Sequence, residues 1–169
     1  KYFSRQGIKI IVTFAAPETK RIPCGYSPEF RKIEEDVMSV AEDTPATRVL
    51  LVEYSTQKTV AIPALLARVA DARFVVEEAD SLTAALLRLT SGGIDIVLLD
   101  SRLPDSYGLQ GLGTVRSRFP DIPVIMLAGS ADKQWAPHAL RMGAKDWVVK
   151  DSIDGRLLAR IILRHIKKA

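Results

Sequence analysis

The chain contains one cysteine, Cys24, two histidines and no apolar run long enough to cross a bilayer. One thiol can neither close an internal disulfide nor build a cysteine-rich metal site, which fits a reducing cytoplasm. His138 and His165 stand apart without ligand spacing, so they read as surface or partly packed residues rather than metal ligands. The longest apolar stretch near the start, Ile8 to Ala16, is broken by Lys9 and Thr13, is too short to span a membrane and lacks a signal-peptide layout. A strong charge of either sign is also missing. The net charge of +4 favours solubility without marking a nucleic-acid binder, so neither a membrane nor direct nucleic-acid contact is expected. The chain begins at Lys1 rather than Met, which reads as a piece of a longer protein.

What the chain does have is material for a core. Apolar residues make up 47% of its 169 residues, enough for one domain of ordinary size with or without an appendage. Two textures divide it. Residues 1–47 read as an N-terminal extension or the tail of a preceding domain. Gly7 to Ala16 is β-branched and aromatic enough for one strand, and Pro17 to Gly25 reads as a loop. Ser27-Pro28 looks like an N-cap with a first-turn proline. Phe30, Ile33, Val37 and Val40 follow at helical spacing, which predicts an amphipathic helix over 28–42, ended near Thr44-Pro45. That helix either packs on its own domain or serves as a connector or dimer helix. Two heptads are too few for a coiled coil.

Residues 48–169 form the second region, where short apolar runs alternate with helical segments. Strands are predicted at Val49–Glu53, Phe74–Glu78, Ile94–Asp100, Pro123–Ala128 and Trp147–Lys150. Helices are predicted at Val60–Ala70, Leu82–Thr90, Leu109–Arg118, Pro137–Met142 and Arg156–Lys167, with Ser81 capping the second and Asp154 or Ser152 the last. Runs such as VLLVE and IVLL are nearly continuous in hydrophobicity, as strands covered on both faces are. Five β-then-α units predict an α/β fold with a doubly wound five-stranded parallel sheet. Ligands of such sheets bind beyond the carboxyl ends of the strands, so chemistry is expected at Glu53, Asp100, Ala128 and Lys150.

Those strand ends carry a resemblance. LLVE, IVLLDSRLPDSYGL, PVIMLAGSAD and GAKDWVVK, in that order, resemble the response regulator receiver domains of two-component signalling, over about seven-tenths of the chain. The resemblance implies a flavodoxin-like strand order 2-1-3-4-5 and transfer of a phosphoryl group from a kinase histidine to an aspartate. That chemistry needs a carboxylate nucleophile, Mg²⁺, a hydroxyl and an ammonium. It implies that Asp100 is the phosphoacceptor and Lys150 the phosphate-contacting lysine. Glu53 and Asp100 become metal ligands, joined by the backbone carbonyl of Arg102, whose side chain points a cation near the site. Trp147 takes the place of an aromatic residue that reorients on activation.

Two positions depart from the pattern. Tyr54 stands where a second metal-binding acid belongs. A neutral phenol is a poor Mg²⁺ ligand, and its ring is expected to be able to fill the metal pocket. Ala128 stands where a Ser or Thr should hold the phosphoryl group and draw the switch loop inward, and Ser130 is expected to point elsewhere. Without these groups Mg²⁺ binding is expected to be weak or absent, and Asp100 and Lys150 could form a salt bridge that steadies the strand ends.

The output face is irregular too. Pro137 is tolerated only at a helix start, so the fourth helix should begin near Ala136, with Ala131 to Trp135 as loop and Trp135 either tucked over the sheet end or an exposed contact. The last helix carries an apolar stripe of Leu157, Leu158, Ile161, Ile162 and Ile166 opposite Arg156, Arg160, Arg164 and Lys167. It is either a packed helix with a solvated face or a dimer surface.

The leading expectation is a non-enzymatic, cytoplasmic, atypical receiver acting through protein–protein contact or dimerisation, with impaired phosphorylation. Its partners would be a histidine kinase or other signalling protein, a second copy, and an output domain elsewhere in the full-length chain. The alternative is a working receiver phosphorylated on Asp100. An aspartate-nucleophile phosphatase is disfavoured by Arg102, which occupies the place of the second aspartate, and a flavin protein by the lack of glycine in Tyr54-Ser55-Thr56-Gln57.

Overall fold

The computed structural model describes residues 4–5, 8–13, 45–54 and 61–166. The predicted helix over 28–42 and the loop over 17–25 lie outside these residues. In chain order the elements are β1 (Ser4–Arg5), β2 (Ile8–Thr13), β3 (Thr47–Val52), α1 (Ile62–Ala67), β4 (Phe74–Ala79), α2 (Leu82–Thr90) and β5 (Ile96–Asp100). A small β6–β7 hairpin (Arg102–Leu103, Ser106–Tyr107) follows, then α3 (Gln110–Arg118), β8 (Val124–Ala128), α4 (Ala136–Arg141), β9 (Asp146–Val149) and α5 (Gly155–His165).

Five strands pair in parallel in the order β4-β3-β5-β8-β9, the flavodoxin-like order that the resemblance implies. The strand predicted near the N-terminus forms over Ile8–Thr13. It pairs antiparallel with β4 from Ile8↔Ala79 to Thr13↔Phe74, and β1 pairs with β2 in turn. Among the described residues the main sheet therefore has seven strands, beside the two-stranded β6–β7 hairpin.

The continuous apolar runs feed two cores, one on each face, because successive strand residues point to opposite sides. Leu50, Val52, Val97, Leu99, Val124 and Met126 pack under α2, α3 and α4. Val49, Leu51, Ile96, Leu98, Ile125 and Leu127 pack under α1 and α5. Gly155 opens α5 directly against the Leu65 carbonyl of α1, an approach that a Cβ would obstruct. No helix among the described residues is long and apolar enough to cross a membrane.

Boundaries shift where the rim begins. β3 stops at Val52 and β9 at Val149, so Glu53 and Lys150 lie just beyond their strands rather than ending them. β5 starts at Ile96, not Ile94, because the Asp95 carboxylate and amide bond to the Arg48 backbone. The stretch before α4 is a 3₁₀ turn over Ser130–Trp135 rather than a loop, and α4 begins at Ala136, ahead of Pro137. Leu157 does not join the buried stripe of α5: it is 46% exposed, while Leu158 and Ile162 are buried.

Candidate functional site

Strand register brings the chemistry to one rim. Val52 pairs with Leu99, Asp100 with Leu127 and Ala128 with Val149, so the chain leaves β3, β5, β8 and β9 at nearly one level. Glu53, Asp100, Ala128 and Lys150 meet there. The carboxylates of Glu53 and Asp100 are buried, and the Lys150 ammonium bridges them, 2.6 Å from Asp100 Oδ2 and 3.1 Å from Glu53 Oε1. The other Asp100 oxygen, Oδ1, accepts the Arg102 amide at 3.1 Å. Both oxygens of Asp100 are thus engaged. Burial alone would lower the Lys150 pKa, but the Asp100 hydrogen bond and charge, reinforced by Glu53, outweigh it and raise the ammonium above its ordinary value.

The two departures take different forms. Ala128 is fully buried and closes β8 with a methyl group. The hydroxyl two residues on, Ser130 Oγ, donates to Asp151 Oδ2, and the Ser130 amide reaches the same oxygen at 3.2 Å. Tyr54 corrects an expectation. Its side chain does not sink between the carboxylates: the residue is 52% exposed, and the Lys150 ammonium holds the space between Glu53 and Asp100. An ammonium compensates two buried charges that a phenol could not.

Glu53 and Asp100 are oxygen ligands of the kind Mg²⁺ prefers. Their number is short, however, since no cluster of three potential metal ligands exists among the described residues. An incoming Mg²⁺ would also have to displace an ammonium already bound to both. The residues present do not fit a tight Mg²⁺ site.

Arg102 and Asp132 form a second charged group beside the first. The Arg102 side chain does not lie free near Asp100. Its Nε and Nη2 donate to the two oxygens of Asp132 at 3.1 and 3.0 Å. Ser101 Oγ adds a third donor at 3.1 Å. Asp132 is only 4% exposed, and the Arg102 hydrogen bonds, opposed by burial, lower its pKa. Sequence reasoning missed this residue. Its one signal was an acid four positions after Ala128, in a stretch read as plain loop. Trp147 is partly buried against the α2–α3 side of the core, and its indole N–H has no hydrogen-bond partner among the described residues.

A family model for the response regulator receiver domain matches residues 49–162. Over 86 residues the chain is 35% identical to the response regulator protein FleR of Pseudomonas aeruginosa, covering 51% of this chain and 18% of that protein. Over 88 residues it is 36% identical to the DNA-binding transcriptional activator DevR/DosR of Mycobacterium tuberculosis, covering 52% of this chain and 40% of that one. The chain therefore spans less than half the length of these relatives. Among solved structures, a receiver domain protein from Clostridium thermocellum is 26% identical with a TM-score of 0.61, covering 70% of this chain and 92% of that one. The CheX-CheY-BeF3-Mg+2 complex from Borrelia burgdorferi includes a chain of the same fold, 24% identical with a TM-score of 0.60, covering 76% of this chain and 95% of that one.

Proposed function

Since this chain belongs to the response regulator receiver domain family, we propose that it is an atypical receiver that signals through protein contact and whose phosphorylation at Asp100 is impaired. One observation carries the reading: at the rim, Lys150 is bound to both Glu53 and Asp100 while β8 ends in the methyl of Ala128. Phosphoryl transfer requires a free carboxylate oxygen, a counter-charge for the phosphoryl group and donors for its oxygens. Here the strand-end hydroxyl is absent and Ser130, the nearest hydroxyl after it in sequence, is tied to Asp151.

In this reading the module is not an enzyme and works in the cytoplasm. It is contacted by a histidine kinase or another signalling protein and pairs with a second copy. Its output domain lies elsewhere in a longer chain. The observation favouring the second reading, a working receiver, is that Glu53, Asp100 and Lys150 do converge.

The test is incubation with a small phosphodonor and Mg²⁺ followed by mass spectrometry of the intact chain. Absence of an adduct supports the proposal. A stable adduct lost in Asp100→Asn establishes the second reading instead. The site assignment has its own check, the double variant Tyr54→Asp with Ala128→Thr, which restores a carboxylate and a hydroxyl. It should show a Mg²⁺-dependent change in Trp147 fluorescence, and no change would refute the assignment.

A further inference from the structure

Two loops leave the rim side by side, residues 101–109 after β5 and the Ser130–Trp135 turn after β8, and three contacts join them. The first is the Arg102 fork on Asp132, strengthened by the Ser101 hydroxyl. The second is Trp135, whose ring lies over Gly108. Gly108 has φ +66, and a Cβ there would sit 2.9 Å from the indole, so the approach requires glycine. The third is the edge-on contact of Tyr107 and Trp135, with ring centroids 5.6 Å apart at 87°. Asp132 is buried in a turn whose first residue, Ser130, is held to Asp151, and among the described residues Arg102 is the cation hydrogen-bonded to its carboxylate.

We infer that the Arg102–Asp132 ion pair is a latch that holds the Ser130–Trp135 turn, and the start of α4 behind it, in a single position without any group attached to Asp100. The planar guanidinium meets both carboxylate oxygens at once, which fixes orientation as well as distance. With the latch shut, Trp135 stays on Gly108, and the exposed Leu140 of α4 and Met142 just after it are presented in one fixed arrangement. With it open, Asp132 must leave its buried position for water, and the turn has to move with it. The inference rests on the geometry of these two loops and is independent of whether Asp100 accepts a phosphoryl group.

Hydrogen exchange and Trp135 quenching on the full chain test it. The variants are Arg102→Gln, Asp132→Asn and the reversed pair Arg102→Asp with Asp132→Arg. Arg102 is more than half exposed on its side chain, so its variant should keep the fold even if Asp132→Asn does not. The expected result is that Arg102→Gln speeds exchange over residues 129–136 about tenfold, the scale of a locally opened segment. Acrylamide should reach Trp135 more readily in a Trp147→Phe background. Exchange in β3 and β5 should stay unchanged, and the reversed pair should recover part of the protection. Unchanged exchange and quenching in Arg102→Gln would overturn the latch. So would loosening spread equally through β3 and β5, which would mark a general loss of stability instead.

Discussion

Between Glu53 and Asp100, the Lys150 ammonium answers two buried charges at once. Because its pKa is raised, its stabilisation is complete below its ordinary 10.5 and is lost as pH climbs through the higher folded-state value. Urea midpoints should therefore fall as pH rises above 10.5, and Lys150→Met should flatten that fall. Asp132 has the opposite sign. Its pKa is lowered, so its contribution is complete above 3.8 and disappears as pH drops through the lower folded value. Glu77 gives a third residue-scale test away from the rim. It is buried and accepts from Arg88 Nε at 2.5 Å and Nη2 at 2.8 Å, with Arg48 3.7 Å away. Arg88→Met should cost about 3 kcal/mol in chemical denaturation, because most of the compensation of a buried carboxylate is removed. A loss near zero would show that Arg48 replaces Arg88.

At the scale of the element, the decisive devices are helix ends. The N-terminus of α2 is capped twice. Ser81 Oγ accepts from Ala84, and Asp105 accepts from the Leu82 and Thr83 amides at 2.8 Å and from the Thr83 hydroxyl at 2.7 Å. Asp105 belongs to the loop after β5, so the cap also pins that loop to α2. Asp105→Ala should cost about 1 kcal/mol or somewhat more by thermal or urea unfolding. Burial tends to raise the Asp105 pKa, but these donors outweigh it and lower the value, so the cap is fully present above pH 3.8 and weakens below it. The local caps were legible: Ser81 and Asp154 sit in sequence next to the helices they start. Asp105 lies 23 residues from Leu82, and no local pattern could assign it.

For the whole molecule, β2 covers the outer edge of β4 over six residue pairs. A bare edge strand exposes unpaired amides and carbonyls and invites pairing with another chain. Removing residues 1–13 should leave the parallel sheet intact by circular dichroism but increase self-association in light scattering. A truncated chain that stays as monodisperse as the parent would show that the edge needs no cover.

The order of apolar runs and helical segments determined the five parallel strands, since only strands covered on both faces carry runs like VLLV and IVLL. Their ends determined which residues could share a rim. Glu53, Asp100, Ala128 and Lys150 were identifiable because strand ends in such a sheet converge whatever the helices do. Tertiary structure decided the rest. Whether Tyr54 or Lys150 stands between the carboxylates depends on where side chains turn after their strands stop, and that is set by distance and burial rather than by spacing. The pairing of Arg102 with Asp132, 30 residues apart, required two loops to meet. The docking of β2 on β4 required an edge whose hydrogen-bonding groups were left open. Contacts of that kind are written in three-dimensional proximity, and a one-dimensional pattern holds no record of them.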